Sequence, residues 1–83
     1  MKLAKVAATK FHLTVHARQR IAERGLSIEV MKDVVKYPQH KHQQYRGEHG
    51  GIVFRFSKQR GQANMTVVAE IKGQQCWLIT GWI

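Results

Sequence analysis

The residues with the clearest chemical potential lie in one short run, His16-Ala17-Arg18-Gln19-Arg20-Ile21-Ala22-Glu23-Arg24-Gly25. His16, Arg20 and Arg24 are spaced four apart, so on a helix they form one ridge beside an apolar Ala17/Ile21 face. Like charges at that spacing repel unless an anion lies close, and guanidinium groups bind phosphate in bidentate fashion. An imidazole titrates near neutrality and can take or give a proton. Cleavage of RNA without a metal needs such an inventory. One group accepts the 2′-hydroxyl proton, another protonates the leaving oxygen, and cations stabilise the charged phosphorane. Arg55 is a further candidate cation, and Thr80, if it points to the same open face as Arg55, would donate a hydrogen bond to phosphate. The plainer alternative is a solvated basic helix with Glu23 as its counter-ion, and a Thr80 present for its β-propensity.

A wider basic surface surrounds this ridge. Arg18, Lys41, His42, Arg46, Lys58 and Arg60 are candidate nucleic-acid contacts, and Tyr45 and Trp82 could stack on bases if exposed. His40, His42 and His49 invite a metal reading, but no carboxylate or cysteine stands at a convincing spacing. No metal or cofactor is therefore expected. Cys76, the single cysteine, has no catalytic neighbour in sequence and is expected to be an inert, half-buried thiol.

The bulk composition agrees with a polyanion-binding surface. The 83 residues carry 14 Lys and Arg against 5 Asp and Glu, a formal charge of +9. Nine of the basic residues fall in positions 1–42 and five in the remainder, so the charge is not a detachable tail. A chain of this charge attracts nucleic acid by releasing condensed counterions. Its length allows one small domain, residues 1–83, and excludes a large multidomain enzyme. The 43% hydrophobic content argues against a disordered basic arm. One cysteine excludes an internal disulfide framework. No apolar run approaches the ~18 residues that span a bilayer, and residues 1–10 lack the apolar core of a secretory signal. A cytoplasmic domain without a membrane is expected.

The elements that must position these groups follow from periodicity. Residues 1–10 read as either a first strand or a flexible arm. Residues 11–15 alternate apolar and polar, which suits a short strand. Thr14 is a candidate cap for the helix carrying His16, and Gly25 ends it. Ser27 caps a second helix whose stripe is Val30, Met31, Val34 and Val35, and Pro38 limits its end. Residues 40–46 read as a polar edge strand, Gly47, Gly50 and Gly51 as a turn, and 52–57, 65–71 and 77–83 as strands. In the last of these, unbroken alternation puts Trp77, Ile79 and Ile83 on one face and Leu78, Thr80 and Trp82 on the other.

The stretch Leu13-Thr14-Val15-His16-Ala17, with Arg20, Arg24-Gly25-Leu26-Ser27, the Tyr37-Pro38 stop and the final Ile79-Thr80 followed by Trp82, resembles a group of small bacterial domains. These are grouped with the RelE/ParE-like toxins, within the superfamily named for barnase, EndoU, the tRNase colicins and RelE. The resemblance spans residues from about 11 to 83; its His-Ala-x-x-Arg-x-x-x-Arg-Gly pattern is distinctive and its strands generic. It implies an α+β fold with two N-terminal helices packed on a three- to four-stranded antiparallel sheet. It also implies metal-independent endoribonuclease activity, with His16, Arg20, Arg24 and Thr80 matching the motif and Arg55 a weaker match. Some relatives instead inhibit a DNA topoisomerase, and fold likeness does not decide between activities. The expected partners are RNA, ribosome-borne or tRNA included, and an acidic antitoxin or immunity protein. Two rival readings are a non-catalytic nucleic-acid-binding module and a protein-interaction domain covered by that acidic partner.

Overall fold

The computed structural model describes residues 8–83. The question of a strand or an arm at residues 1–10 lies mostly outside that span. In chain order the elements are β1 (Lys10–Leu13), α1 (Val15–Arg24), α2 (Ile28–Lys36), β2 (His40–Arg46), β3 (Ile52–Arg60), β4 (Ala63–Lys72) and β5 (Gln75–Trp82).

Both helices start and stop where local chemistry directs. The Thr14 hydroxyl accepts the Ala17 amide and the Ser27 hydroxyl the Val30 amide, each using an orphan donor of the first turn. Gly25 takes a left-handed conformation, φ 62°, and ends α1. The second helix presents Met31, Val34 and Val35 to the core and ends at Tyr37, before Pro38.

The sheet corrects the expected architecture. It has five strands in the order β1-β5-β4-β3-β2, and it is mixed, because β1 pairs parallel with β5 while the other pairings are antiparallel. The helices follow a first strand and are not N-terminal to the sheet, and the three- to four-stranded antiparallel arrangement does not hold. Local alternation marked β1 as a strand, but its partner lies more than sixty residues away. Phe11 meets Cys76 and Leu13 meets Leu78. Parallel pairing requires a long crossover between partners. Here α1 and α2 carry the chain across one face of the sheet, from its β1 edge to its β2 edge. α1 packs against β5 and β1, and α2 against β4 and β3.

The core lies between helices and sheet. Met31, Val34 and Val35 meet Phe56, Val67, Ala69, Cys76 and Leu78, all essentially inaccessible. Two irregularities change which residues reach the other, helix-free face. In β5 the register slips between Val68 and Ala69, so Ala69 faces Leu78 while Val68 faces Thr80. The extra residue, Ile79, restarts the alternation, placing Trp77 and Thr80 on one face three residues apart. That overturns the grouping of Thr80 with Leu78, which stays on the helix-covered face opposite Ala69. In β2 a similar slip around Gln44 puts His42, opposite Arg55, and Tyr45, opposite Val53, on that same face. Among the described residues, no helix is long and apolar enough to cross a membrane.

Candidate functional site

Cross-strand registers set two rows of side chains on the open face. One runs His12, Trp77, Glu70, Val53, Tyr45, and the next runs Thr80, Val68, Arg55, His42. At the end of the first row lies an open cleft of about 500 Å³. Thr14 and His16 reach it from the β1–α1 junction, Tyr45 and Arg46 from β2, and Gly47, Glu48 and His49 from the β2–β3 loop, with Val53, Glu70 and Ile79 from the sheet.

Thr14 fixes His16. Besides capping α1, its hydroxyl donates to the Leu78 carbonyl at 2.9 Å. The first turn of α1 is thereby tied to β5 at the point where β1 ends. β1 covers β5 only as far as Leu78. Beyond it, Arg24 Nη1 donates to the Gly81 carbonyl at 2.7 Å, which satisfies an acceptor on the uncovered stretch of β5. Arg20 is paired with Glu23 on its own helix.

The floor of the cleft contains a buried acid. Glu70 is 1% exposed. Its carboxylate accepts from the Gly51 amide at 2.7 Å, the His49 amide at 3.0 Å and His49 Nδ1 at 2.9 Å. Burial would raise its pKa, but these hydrogen bonds, led by the His49 side chain, outweigh burial and hold the carboxyl below its ordinary range. The glycines of the loop allow this approach. A Cβ on Gly47 would fall on the Glu70 side chain, and one on Gly51 on the Ile71 carbonyl. The His49 ring lies on Trp77.

Of the five expected catalytic residues, the structure brings only His16 to the cleft. Arg55 is exposed, and Thr80 half-buried, in the adjoining row. Val68 stands between them, so their backbones are about 10 Å apart at the usual strand spacing. Arg20 and Arg24 are held by Glu23 and Gly81 outside the cleft wall. Of the expected nucleic-acid contacts, Arg46 joins the cleft wall and His42 the open face. Arg18 is exposed on α1. Lys41 Nζ sits 4.7 Å from the Phe54 ring centre. Lys58 and Arg60 both bond Asp33 of α2, at 2.9 and 2.7 Å, and so brace helix against sheet. Among the described residues, no three His, Cys, Asp or Glu side chains gather to hold a metal ion. Cys76 is fully buried, and burial pushes its thiol up to about 12.

Glu70 and the role of His49 escaped the sequence reading. The available signal was one acid in an otherwise apolar strand, Thr66-Val67-Val68-Ala69-Glu70-Ile71. A charge buried there requires hydrogen-bonding partners. Comparison with protein-family models, curated proteins and solved structures finds no match to this chain.

Proposed function

We propose that the chain is a small endoribonuclease, acting in the cytoplasm, that breaks RNA by attack of a 2′-hydroxyl on the adjacent phosphorus. The observation that carries this reading is His16 on the wall of an open cleft that Arg46 and His49 also line, in a domain of charge +9. An imidazole there can move a proton at the reacting phosphate, and Arg46 supplies a cation. Arg55, His42 and Thr80, on the adjoining row, offer further contacts for the chain leading into the cleft. The likeness of His16, Arg20, Arg24 and Thr80 to the RelE/ParE-like pattern supports the same chemistry. Because Arg20 and Arg24 are already engaged, we assign them to shaping and docking α1 and not to clamping phosphate.

The test is incubation of the purified protein with a mixed single-stranded RNA in the presence of a chelator, beside His16→Ala. The reading requires fragments ending in 2′,3′-cyclic phosphate from the wild type and a loss of about 10²-fold or more in the variant. Intact RNA that nevertheless binds in a salt-sensitive manner would replace it with a binding module.

A second reading has its own support. Every residue of β2 is exposed, and β2 is the edge of the sheet. An edge carrying His40, Lys41, His42 and Arg46 suits an acidic antitoxin that adds a strand there. Co-expression with the product of a neighbouring acidic gene, followed by loss of cleavage in the complex, tests it.

A further inference from the structure

The cleft contains a second histidine whose surroundings are more specialised than those of His16. We propose that His49 is the proton-accepting residue of the cleft, working through Nε2 opposite His16 as donor. This rests on the ribonuclease reading above.

The argument begins with Glu70. An ionised carboxylate only accepts hydrogen bonds, so the 2.9 Å contact to His49 Nδ1 requires the proton to sit on Nδ1. The neutral ring then keeps its lone pair on Nε2. Any charge the ring gains on accepting a proton is balanced across the same hydrogen bond by a carboxylate that is 1% exposed. The ring cannot swing freely, because it is stacked on Trp77 with centroids 4.1 Å apart. Yet about a third of the side chain is accessible, at 32%. Its Nε2 has the exposed Glu48 carboxylate as a distant neighbour at 3.9 Å.

Closing the hairpin does not by itself call for an imidazole, since Glu70 already holds the loop through the His49 and Gly51 amides. The third bond orients the ring of a residue that lines the cleft together with His16. Among the described residues, no other histidine has a buried carboxylate as partner; His12, for instance, meets the Gln75 amide oxygen.

The balanced step is as follows. His49 Nε2 takes the 2′-hydroxyl proton as the 2′-oxygen bonds to phosphorus. The bond from phosphorus to the 5′-oxygen breaks, and protonated His16 gives that oxygen its proton. The products are a 2′,3′-cyclic phosphate and a 5′-hydroxyl, with no oxidant or co-reactant. Glu70 is a positioning residue in this scheme.

The test uses the intact protein and a short single-stranded RNA under single-turnover conditions, with His49→Asn, His49→Ala and Glu70→Gln. Asparagine places an amide nitrogen near the Nδ1 position, so it retains the bond to Glu70 while removing Nε2. We expect His49→Asn to fold, with a thermal midpoint lowered by several degrees through the lost stacking on Trp77, and to lose about 10²–10⁴-fold in rate at a temperature where it is fully folded. A wild type that cleaves while His49→Asn stays within about threefold overturns this inference alone. A wild type that leaves RNA intact overturns the ribonuclease reading and this inference with it. Nitrogen-15 spectra of the His49 ring provide a readout independent of cleavage. The wild type should show the Nδ1–H tautomer. In Glu70→Gln the amide oxygen stays on the His49 and Gly51 amides, so the side-chain NH2 faces Nδ1 and should shift the ring to the Nε2–H tautomer. An unchanged tautomer in Glu70→Gln removes Glu70 from the scheme.

Discussion

The imidazole of His49 lies flat on the indole of Trp77, with the two planes 6° from parallel. Trp77 stands directly across the sheet from Glu70, which holds the edge of the same imidazole. One ring is thus fixed in its plane by a strand and in its rotation by the neighbouring strand. Trp77 also stacks with His12 at 5.2 Å, so the indole joins β1 to the cleft.

Trp77→Leu retains apolar bulk and removes the flat surface. Aromatic pairs contribute about 0.5–1.5 kcal/mol beyond their buried area, so with two pairs lost we expect about 1–3 kcal/mol less stability in urea unfolding. Trp77→Phe should recover roughly half of that difference. Equal losses in the two variants would show that volume, and not stacking, is what Trp77 supplies.

Glu70 makes the fold sensitive to acid in a defined direction. Its carboxyl titrates below the ordinary 4.5 in the folded state, because its hydrogen bonds outweigh burial. A carboxyl with a depressed folded pKa stabilises above its unfolded pKa, and that contribution disappears as pH falls through the folded value. Asp33 behaves alike: the Lys58 hydrogen bond, with the Lys58 and Arg60 charges, outweighs burial and holds it below 3.8. Urea midpoints should therefore be level near neutrality with respect to these groups and fall below about pH 4.5. Glu70→Gln should be less stable than wild type at pH 7 and lose less between pH 5 and 3. Parallel acid limbs for variant and wild type would contradict this account.

The Gly47 position offers a sharper probe of the same carboxylate. A Cβ there overlaps the Glu70 side chain, which is buried and bonded at three points and so has little room to move. Gly47→Ala should destabilise by about 1–3 kcal/mol through this overpacking. Alanine at Gly25, where nothing lies within 4 Å of the added carbon, should cost only the left-handed backbone strain, about 1 kcal/mol. Native-like stability of Gly47→Ala would mean that Glu70 can leave its pocket.

Much of this structure was legible because its cues are local. Thr14, Gly25 and Ser27 announce the helix ends through bonds to residues three or four positions away. The place of β1 was not legible, since alternation at Phe11 and Leu13 marks a strand without naming its neighbour. Nor were the bulges at Gln44 and Ile79, which leave no mark on the apolar pattern yet decide that Thr80 shares a face with Trp77. At the site, spacing grouped His16 with Arg20 and Arg24 along one helix. The fold instead groups His16 with His49 and Glu70, which come from a loop and a strand far along the chain.

Cys76 tests the quality of the core and not the site. It is fully buried opposite Phe11 and Ile71, and burial pushes its thiol up to about 12. Thiolate is the reactive form, so a disulfide reagent at pH 8 should label the native protein only as fast as it opens. Labelling should become immediate in denaturant. Cys76→Ser should lose about 1–3 kcal/mol by placing a hydroxyl in that apolar setting, and Cys76→Ala less. Rapid labelling of the folded protein would show that the β1–β5 edge opens readily.

On the ribonuclease reading, the arginines divide between phosphate binding and docking. Arg24 is committed to the Gly81 carbonyl, a charged hydrogen bond that contributes about 1.5–3 kcal/mol. Arg24→Ala should lower stability by that order and, where the protein remains folded, leave the salt dependence of RNA binding nearly unchanged. Arg55 is exposed on the open face, in the row beside the cleft. Arg55→Ala should leave the urea midpoint within about 0.5 kcal/mol of wild type, as surface changes usually do. It should also reduce the slope of log K against log salt by about 0.7 for single-stranded RNA, the value for one phosphate contact. Filter-binding titrations from 50 to 300 mM salt, on a fold-checked set of both variants, decide the matter. A slope that changes for Arg24→Ala and not for Arg55→Ala would return the phosphate contact to the helix ridge and remove it from the open sheet.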